Sequence, residues 1–249
     1  MKRNARQQGK RTKQNDTRVI QEKFLEERRF KVQNNPIVPM NQKQELYMQE
    51  IRDKSIVIAT GYAGTSKTYI PTAMAADAYK LGDIDKIIIT RPAFSSSQSV
   101  GFTSGDFTQK MLMWLGGVVP VLKERLGNAE FDIALAKGDI QFIPLEVVKG
   151  MSINNAFFLV EESSDLTKEE VIKLVTRMGK NSTLVLAGDI RQSELNTQSG
   201  LTWLVDFVKR HRMNNTFGFV DFDSTDDIVR SKAVKEFIIN LVKDERRGK

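Results

Sequence analysis

The 249-residue chain contains no cysteine, which excludes disulfide frameworks, thiolate nucleophiles and cysteine-ligated zinc, and agrees with a reducing compartment. It has a single histidine, His211. No site that needs two imidazoles can form, and a surface role for His211 within the charged run Lys209–Arg212 is the plain expectation. No apolar run approaches the ~20 residues that a membrane-spanning helix requires, and the basic start leads into further polar residues instead of a signal-peptide core. These absences predict a soluble, unsecreted, cytoplasmic protein with no membrane contact. Acidic residues are scarce at the N-terminus: residues 1–31 hold 11 Lys/Arg against 4 Asp/Glu, which accounts for the whole net charge of +7. Such an arm can attract phosphate backbones in a salt-dependent way, or can simply keep the chain solvated.

What is present is ample for a core, since 40% of the residues are hydrophobic. Residues 1–35 read as a basic, partly disordered arm. It includes a short helix over Val19–Phe30 that presents Ile20, Phe24 and Leu25 for docking on the domain or a partner, and ends at Asn34–Asn35–Pro36. Residues 36–243 read as the domain and 244–249 as a tail. Within the domain, apolar runs of strand length fall at Ser55–Ala59, Lys86–Thr90, Asp139–Ile143, Ala156–Val160, Thr183–Ala187 and Thr216–Phe222. Helical segments are expected at Asn41–Ile51, Lys67–Lys80, Phe107–Leu126, Lys168–Met178 and Leu201–Arg210. Continuously apolar strands alternating with helices predict an α/β fold with a mainly parallel sheet covered on both faces. The patch Ser95–Ser99 reads as a loop after a strand end, where such folds place ligand contacts.

The segment Ser55–Thr68 is a strand, a small-residue turn and then Lys-Thr opening a helix, with the spacing of G-x-x-x-x-G-K-[ST]. In such a loop successive backbone N–H groups and a helix N-terminus face the β- and γ-phosphates, the lysine neutralises them, and the hydroxyl ligates magnesium. Lys67 and Thr68 fill those roles, and Gly61, Ala63, Gly64, Thr65, Ser66 and Tyr69 complete the cradle. Ser66 departs from the pattern where glycine is asked for, so its side chain is expected to crowd the phosphates or to resist the local backbone angles. The plainer alternative is a glycine-containing strand-to-helix turn with no ligand.

Two further strand ends carry polar groups. Ala156–Val160 runs into Glu161–Glu162, a hydrophobic-run-then-acid pattern suited to holding a metal and polarising water. Glu161 is the candidate magnesium residue and Glu162 the candidate general base, unless the pair only complements the dipole of the following segment. Thr183–Ala187 runs into Gly188-Asp189-Ile190-Arg191-Gln192. Gln192 is placed to sense a γ-phosphate or orient water, and Asp189 can simply cap the next turn.

These blocks, in this order, resemble the PhoH-like ATPases, P-loop proteins related to the superfamily one helicases. The likeness runs from about Pro39 to Phe237. It rests on Gln44–Tyr47, Gly61–Thr68, Thr90–Pro92, Gly101–Asp106, Lys149–Gly150, Glu161–Asp165, Gly188–Gln192 and Asp226–Arg230. The resemblance implies a P-loop NTPase using ATP and Mg2+, with Gln44 and Tyr47 near the adenine. It also implies that Arg91 and the Gly101–Asp106 loop surround the nucleotide or a neighbouring subunit, and that Arg230 approaches the phosphates. A ring-like homo-oligomer such as a hexamer, and single-stranded RNA as a partner, are implied as well. The chain departs from the family at Ser66, at Glu161–Asp165 in place of Asp-Glu-Ala-Gln-Asn, at Met151 for arginine and at Ser231 for histidine. Those changes suggest a divergent member, as a viral copy in its host's cytoplasm would be, and with no nuclease-like domain ahead of the P-loop the short, ATPase-only form is expected. Two functions remain open on this reading: ATP hydrolysis by Lys67, Glu162, Gln192 and Arg230, or a nucleotide-gated binding module with little turnover.

Overall fold

The computed structural model describes residues 22–33, 35–92, 116–148, 150–193, 195 and 199–247. The patch Ser95–Ser99, the Gly101–Asp106 block, Lys149 and the N-terminal half of the segment Phe107–Leu126 lie outside them, as does the basic stretch 1–21. Six strands form one sheet: β1 (Ile56–Gly61), β2 (Lys86–Thr90), β3 (Ile140–Phe142), β4 (Ala156–Val160), β5 (Thr183–Ala187) and β6 (Phe217–Phe222). Their order is β3-β2-β4-β5-β1-β6, and every pairing is parallel.

Strands β1 and β4 are buried along their whole length, and β2 and β5 beyond their first residues, because both faces are covered. Alternation of side chains sends Val57, Ala59, Phe157 and Leu159 into one core and Ile56, Ile58, Phe158 and Val160 into the other, as the two-residue strand period requires. The first core is closed by α2 (Gln42–Asp53), α3 (Tyr69–Leu81), α4 (Val119–Leu126) and α5 (Asn128–Lys137). The second is closed by α6 (Leu145–Val148), α7 (Lys168–Val175) and α8 (Gly200–Arg210). The far half of α3 is clamped to α4 by Arg125, whose Nε donates to Asp77 at 2.9 Å and whose Nη2 pairs with the same carboxylate. Burial raises the Asp77 pKa and the Arg125 charge partly offsets that.

Three expectations change. Residues 116–118 form a turn, and the helix expected from Phe107 is continuous only from Val119; Gly116-Gly117 disfavours helix and Pro120 suits its first turn. Helix α1 (22–33) leaves Phe24 62% exposed, and it meets the domain through Arg28, which donates to the Lys80 carbonyl (3.2 Å) and to Glu130 (3.0 Å). The expected tail from residue 244 is helical up to Arg247, as the end of α9 (Lys232–Arg247).

Candidate nucleotide site

Strand β1 is flanked by β5 and β6, while its crossover through α3 leads past β5 and β4 to β2. The crevice outside the carboxyl ends of β1, β5 and β4 is therefore where such sheets bind ligands. A cavity of about 520 Å³ lies there, within the ~300–1,000 Å³ of small-molecule sites. Eleven of the sequence-predicted residues line it: Ala63–Tyr69 on the β1 side, Glu161 and Glu162 after β4, Gln192 after β5, and Arg230. With β5 inserted, β1 and β4 stand about 9.5 Å apart, room for phosphate, ion and water between the loop and the acids.

The loop is shaped by contacts with the chain end that crosses it. Gly61 has φ +126°, and a Cβ there would stand 2.3 Å from the Phe222 carbonyl oxygen. Gly64, at φ +79°, is passed so closely by Arg230 that a Cβ would meet its Cγ at 2.6 Å; Val229 N–H donates to the Gly64 carbonyl at 2.9 Å. Thr65 is fully buried and its hydroxyl donates to the Tyr62 carbonyl (2.9 Å). The hydrogen bonds of α3 open with Ile70 N–H to Ser66 O at 3.1 Å, so the preceding amides belong to the unshared first turn that attracts anions. Ser66 adopts φ +71°, the left-handed conformation for which glycine is the usual residue, at a cost of about 1–2 kcal/mol. The backbone angle, more than crowding, is where the substitution is felt.

Lys67 Nζ lies across the loop and donates to the carbonyls of Gly61 and Tyr62, both at 2.6 Å. Burial lowers its pKa to about 8, against the opposing fields of Asp189 and Glu162. Glu161 is deeply set. Burial raises its pKa, while a hydrogen bond from the Thr68 hydroxyl and the Arg91 charge pull the other way. Glu162 sits at φ +48° with half its side chain exposed, and Arg91 Nη2 is 3.9 Å from its carboxylate. Arg91 thus stands beside the acid pair without lining the cavity.

Gln44 and Tyr47, expected near an adenine, lie behind the loop. Tyr47 is 0% exposed; its hydroxyl donates to the Lys67 carbonyl (3.0 Å) and its ring meets Phe222 edge-on at 5.6 Å. A ring with no exposed surface cannot receive a base, so its place is that of a strut. Gln44 is 2% exposed and its amide faces Thr65 and Ser66.

Asp189 does cap the turn Ile190–Gln192 by accepting from Arg191 N–H, and it also lines the cavity and acts on Lys67. Sequence reasoning missed Arg191 itself, whose Nε donates to Asp189 (3.1 Å) and whose guanidinium lies 3.5 Å from the centre of the Tyr62 ring. It also missed Gly117, Val121 and Val229 on the cavity wall, which no local pattern marks. Among the described residues no cluster of three or more acidic or histidine side chains could cage a metal. Thr68 and Glu161, both on the cavity wall, fit a different donor set, that of Mg2+, which takes one or two protein oxygens and completes its shell with phosphate and water.

A buried parallel sheet whose first strand delivers Lys67-Thr68 into a cavity opposite an acidic strand end defines a P-loop nucleoside triphosphate-binding fold. The PhoH-like protein family matches residues 36–242, and the chain belongs to that family. Protein PhoH of Escherichia coli (strain K12) is 33% identical over 199 residues, 79% of this chain and 56% of that protein. The PhoH-like protein of Bacillus subtilis (strain 168) is 28% identical over 231 residues, 92% of this chain and 71% of that one. The chain thus spans little more than half the length of the Escherichia coli relative. Among solved structures, the large terminase from a thermophilic bacteriophage shares the fold, with a TM-score of 0.52 and 12% identity over 81% of this chain and 50% of that one. No described helix is long and apolar enough to cross a membrane.

Proposed function

We propose that the chain is a magnesium-dependent ATPase. The observation that supports this most directly is that Lys67 and Thr68, at the start of α3, line one cavity with Glu161 and Glu162, which follow β4. The free amides of the loop hold the β- and γ-phosphates, and Lys67 exchanges the carbonyls of Gly61 and Tyr62 for phosphate oxygens. Thr68 and Glu161 would hold Mg2+, which supplies charge neutralisation when bound. Glu162 accepts the proton of the attacking water, and Gln192 orients that water. Arg230, and Arg91 beside Glu162, offset charge that develops on the transferred phosphoryl group.

The test is steady-state hydrolysis by the full chain and by Glu162→Gln. Turnover should fall by at least about 100-fold in the variant while ATP affinity stays within about threefold; a wild-type chain without turnover would exclude the catalytic reading. A nucleotide-gated module with little hydrolysis is the second reading, favoured by the exposure of Glu162 and its long approach to Arg91. Single-stranded RNA as partner and a ring-like homo-oligomer such as a hexamer are proposed from the family likeness. Stimulation of hydrolysis by single-stranded RNA, and a molecular mass in solution above 28.3 kDa for one chain, would support them.

A further inference from the structure

We propose that this site selects its ligand by the triphosphate and is indifferent to the base, so that purine and pyrimidine nucleoside triphosphates bind alike. In this arrangement Gln44 is a positioning residue for the loop and does not read a base. The inference rests on the triphosphate-binding reading given above and names the substrate class of that site.

A base is discriminated when a site offers buried hydrogen-bonding groups that only the right edge can satisfy, because the wrong edge leaves them unpaired. Gln44 is the side-chain amide best placed behind the loop for that task, and it is already spent. Its Oε1 accepts from Met40 N–H at 2.9 Å, and Nε2 donates to the Thr65 carbonyl at 3.4 Å and to Ser66 Oγ at 3.3 Å. A glutamine amide has two N–H donors, so both are committed to the loop. At 2% exposure the side chain has almost no surface left to show a ligand. Its own N–H is held by the Asn41 side chain at 2.9 Å, which fixes the start of α2. With Tyr47 holding the Lys67 carbonyl, α2 grips three consecutive loop residues, 65, 66 and 67, from below.

The same bonds explain how a serine is accommodated in a glycine's place. With Gln44 donating to Ser66 Oγ, the serine side chain is tethered to α2, and its hydroxyl proton remains available to a phosphate. Among the described residues that line the cavity, Glu161, Glu162, Gln192 and Arg230 are assigned above to metal, water and phosphate and Asp189 is bonded to Arg191, which leaves Tyr69, Val121 and Val229 to meet a base. Tyr69 is 38% exposed and offers an aromatic face, which takes any base. Val121 and Val229 offer apolar surface, which discriminates weakly between ligands of similar size.

Titration calorimetry of the full chain with Mg2+ and, in turn, ATP, GTP, CTP, UTP and inorganic triphosphate tests this. The four nucleotides should bind within about tenfold of one another, the spread that stacking and apolar contacts leave. A preference for ATP over the other three beyond that factor overturns the proposal. If none of the five binds, the triphosphate reading falls and carries this one with it, an outcome distinct from a base preference. Gln44→Ala should weaken all four nucleotides by a common factor of about 3–30, and adding Ser66→Gly should restore much of the loss, since glycine needs no tether. A loss confined to ATP would make Gln44 a base reader and refute the assignment.

Discussion

On the β1 side of the cavity the residues are held from several directions: Thr65 by the Tyr62 carbonyl, Ser66 by Gln44, Lys67 by two carbonyls and by Tyr47 behind it. On the β4 side Glu162 is 51% exposed at its side chain and 3.9 Å from Arg91. Each side carries one non-glycine residue in the left-handed region, Ser66 and Glu162, and such strain persists where the surroundings enforce it. At Ser66 the surroundings are a packed helix; at Glu162 they are the end of a strand and a short turn. On the proposed function, the contrast teaches that packing fixes the groups assigned to the phosphates and leaves those assigned to hydrolysis to be ordered by what binds. Affinity should therefore be robust to changes on the β4 side and sensitive to changes on the β1 side.

The strongest way to break that comparison is Lys67→Met. It should weaken nucleoside triphosphates at least about 100-fold, as loss of a charge-assisted contact worth roughly 3 kcal/mol implies; calorimetry showing a loss below tenfold would place the phosphates elsewhere. Next in size is Gly61→Ala, whose new Cβ would overlap the Phe222 carbonyl at 2.3 Å. Thermal or urea unfolding should show a destabilisation of about 2–4 kcal/mol.

Smaller, and sharper as a test of burial, is the pH dependence. The folded chain holds the Lys67 proton with a pKa of about 8, below the ordinary 10.5, so between those values the unfolded chain binds more protons. Stability should rise with pH across that window by up to about 3 kcal/mol, less whatever water reaches the half-buried amine, and be flat on either side as far as this group is concerned. Lys67→Met should abolish the rise, and nucleotide affinity in the wild type should weaken as pH passes about 8. The smallest effect expected is Ser66→Gly. Relief of the left-handed serine is opposed by a freer unfolded chain and a lost hydrogen bond to Gln44, so unfolding should shift by less than about 1 kcal/mol.

The strands were legible almost residue by residue, with β2, β4 and β5 found at their expected bounds, because a strand buried on both faces must be apolar throughout. That Ala63–Thr68 and the acids Glu161 and Glu162 share one cavity was legible because each sits at a fixed offset from the carboxyl end of a recognisable strand. Helix α5 was not, since Asn128–Lys137 buries only Phe131 and Ala134 and so carries a weak pattern. The break at residues 116–118 was obscured by apolar residues on either side of the two glycines.

Sequence alone determined the layered α/β architecture, the lysine and hydroxyl of the loop, and the acids that face them, since each follows from local periodicity or from fixed spacing. Tertiary structure alone decided that Tyr47 is a strut, that Gln44 spends its amide on Thr65 and Ser66, and that Arg191 stacks on Tyr62. Those outcomes depend on which segments the parallel crossovers bring side by side, and residues 21 or 129 positions apart in the chain have no local pattern through which to announce a contact.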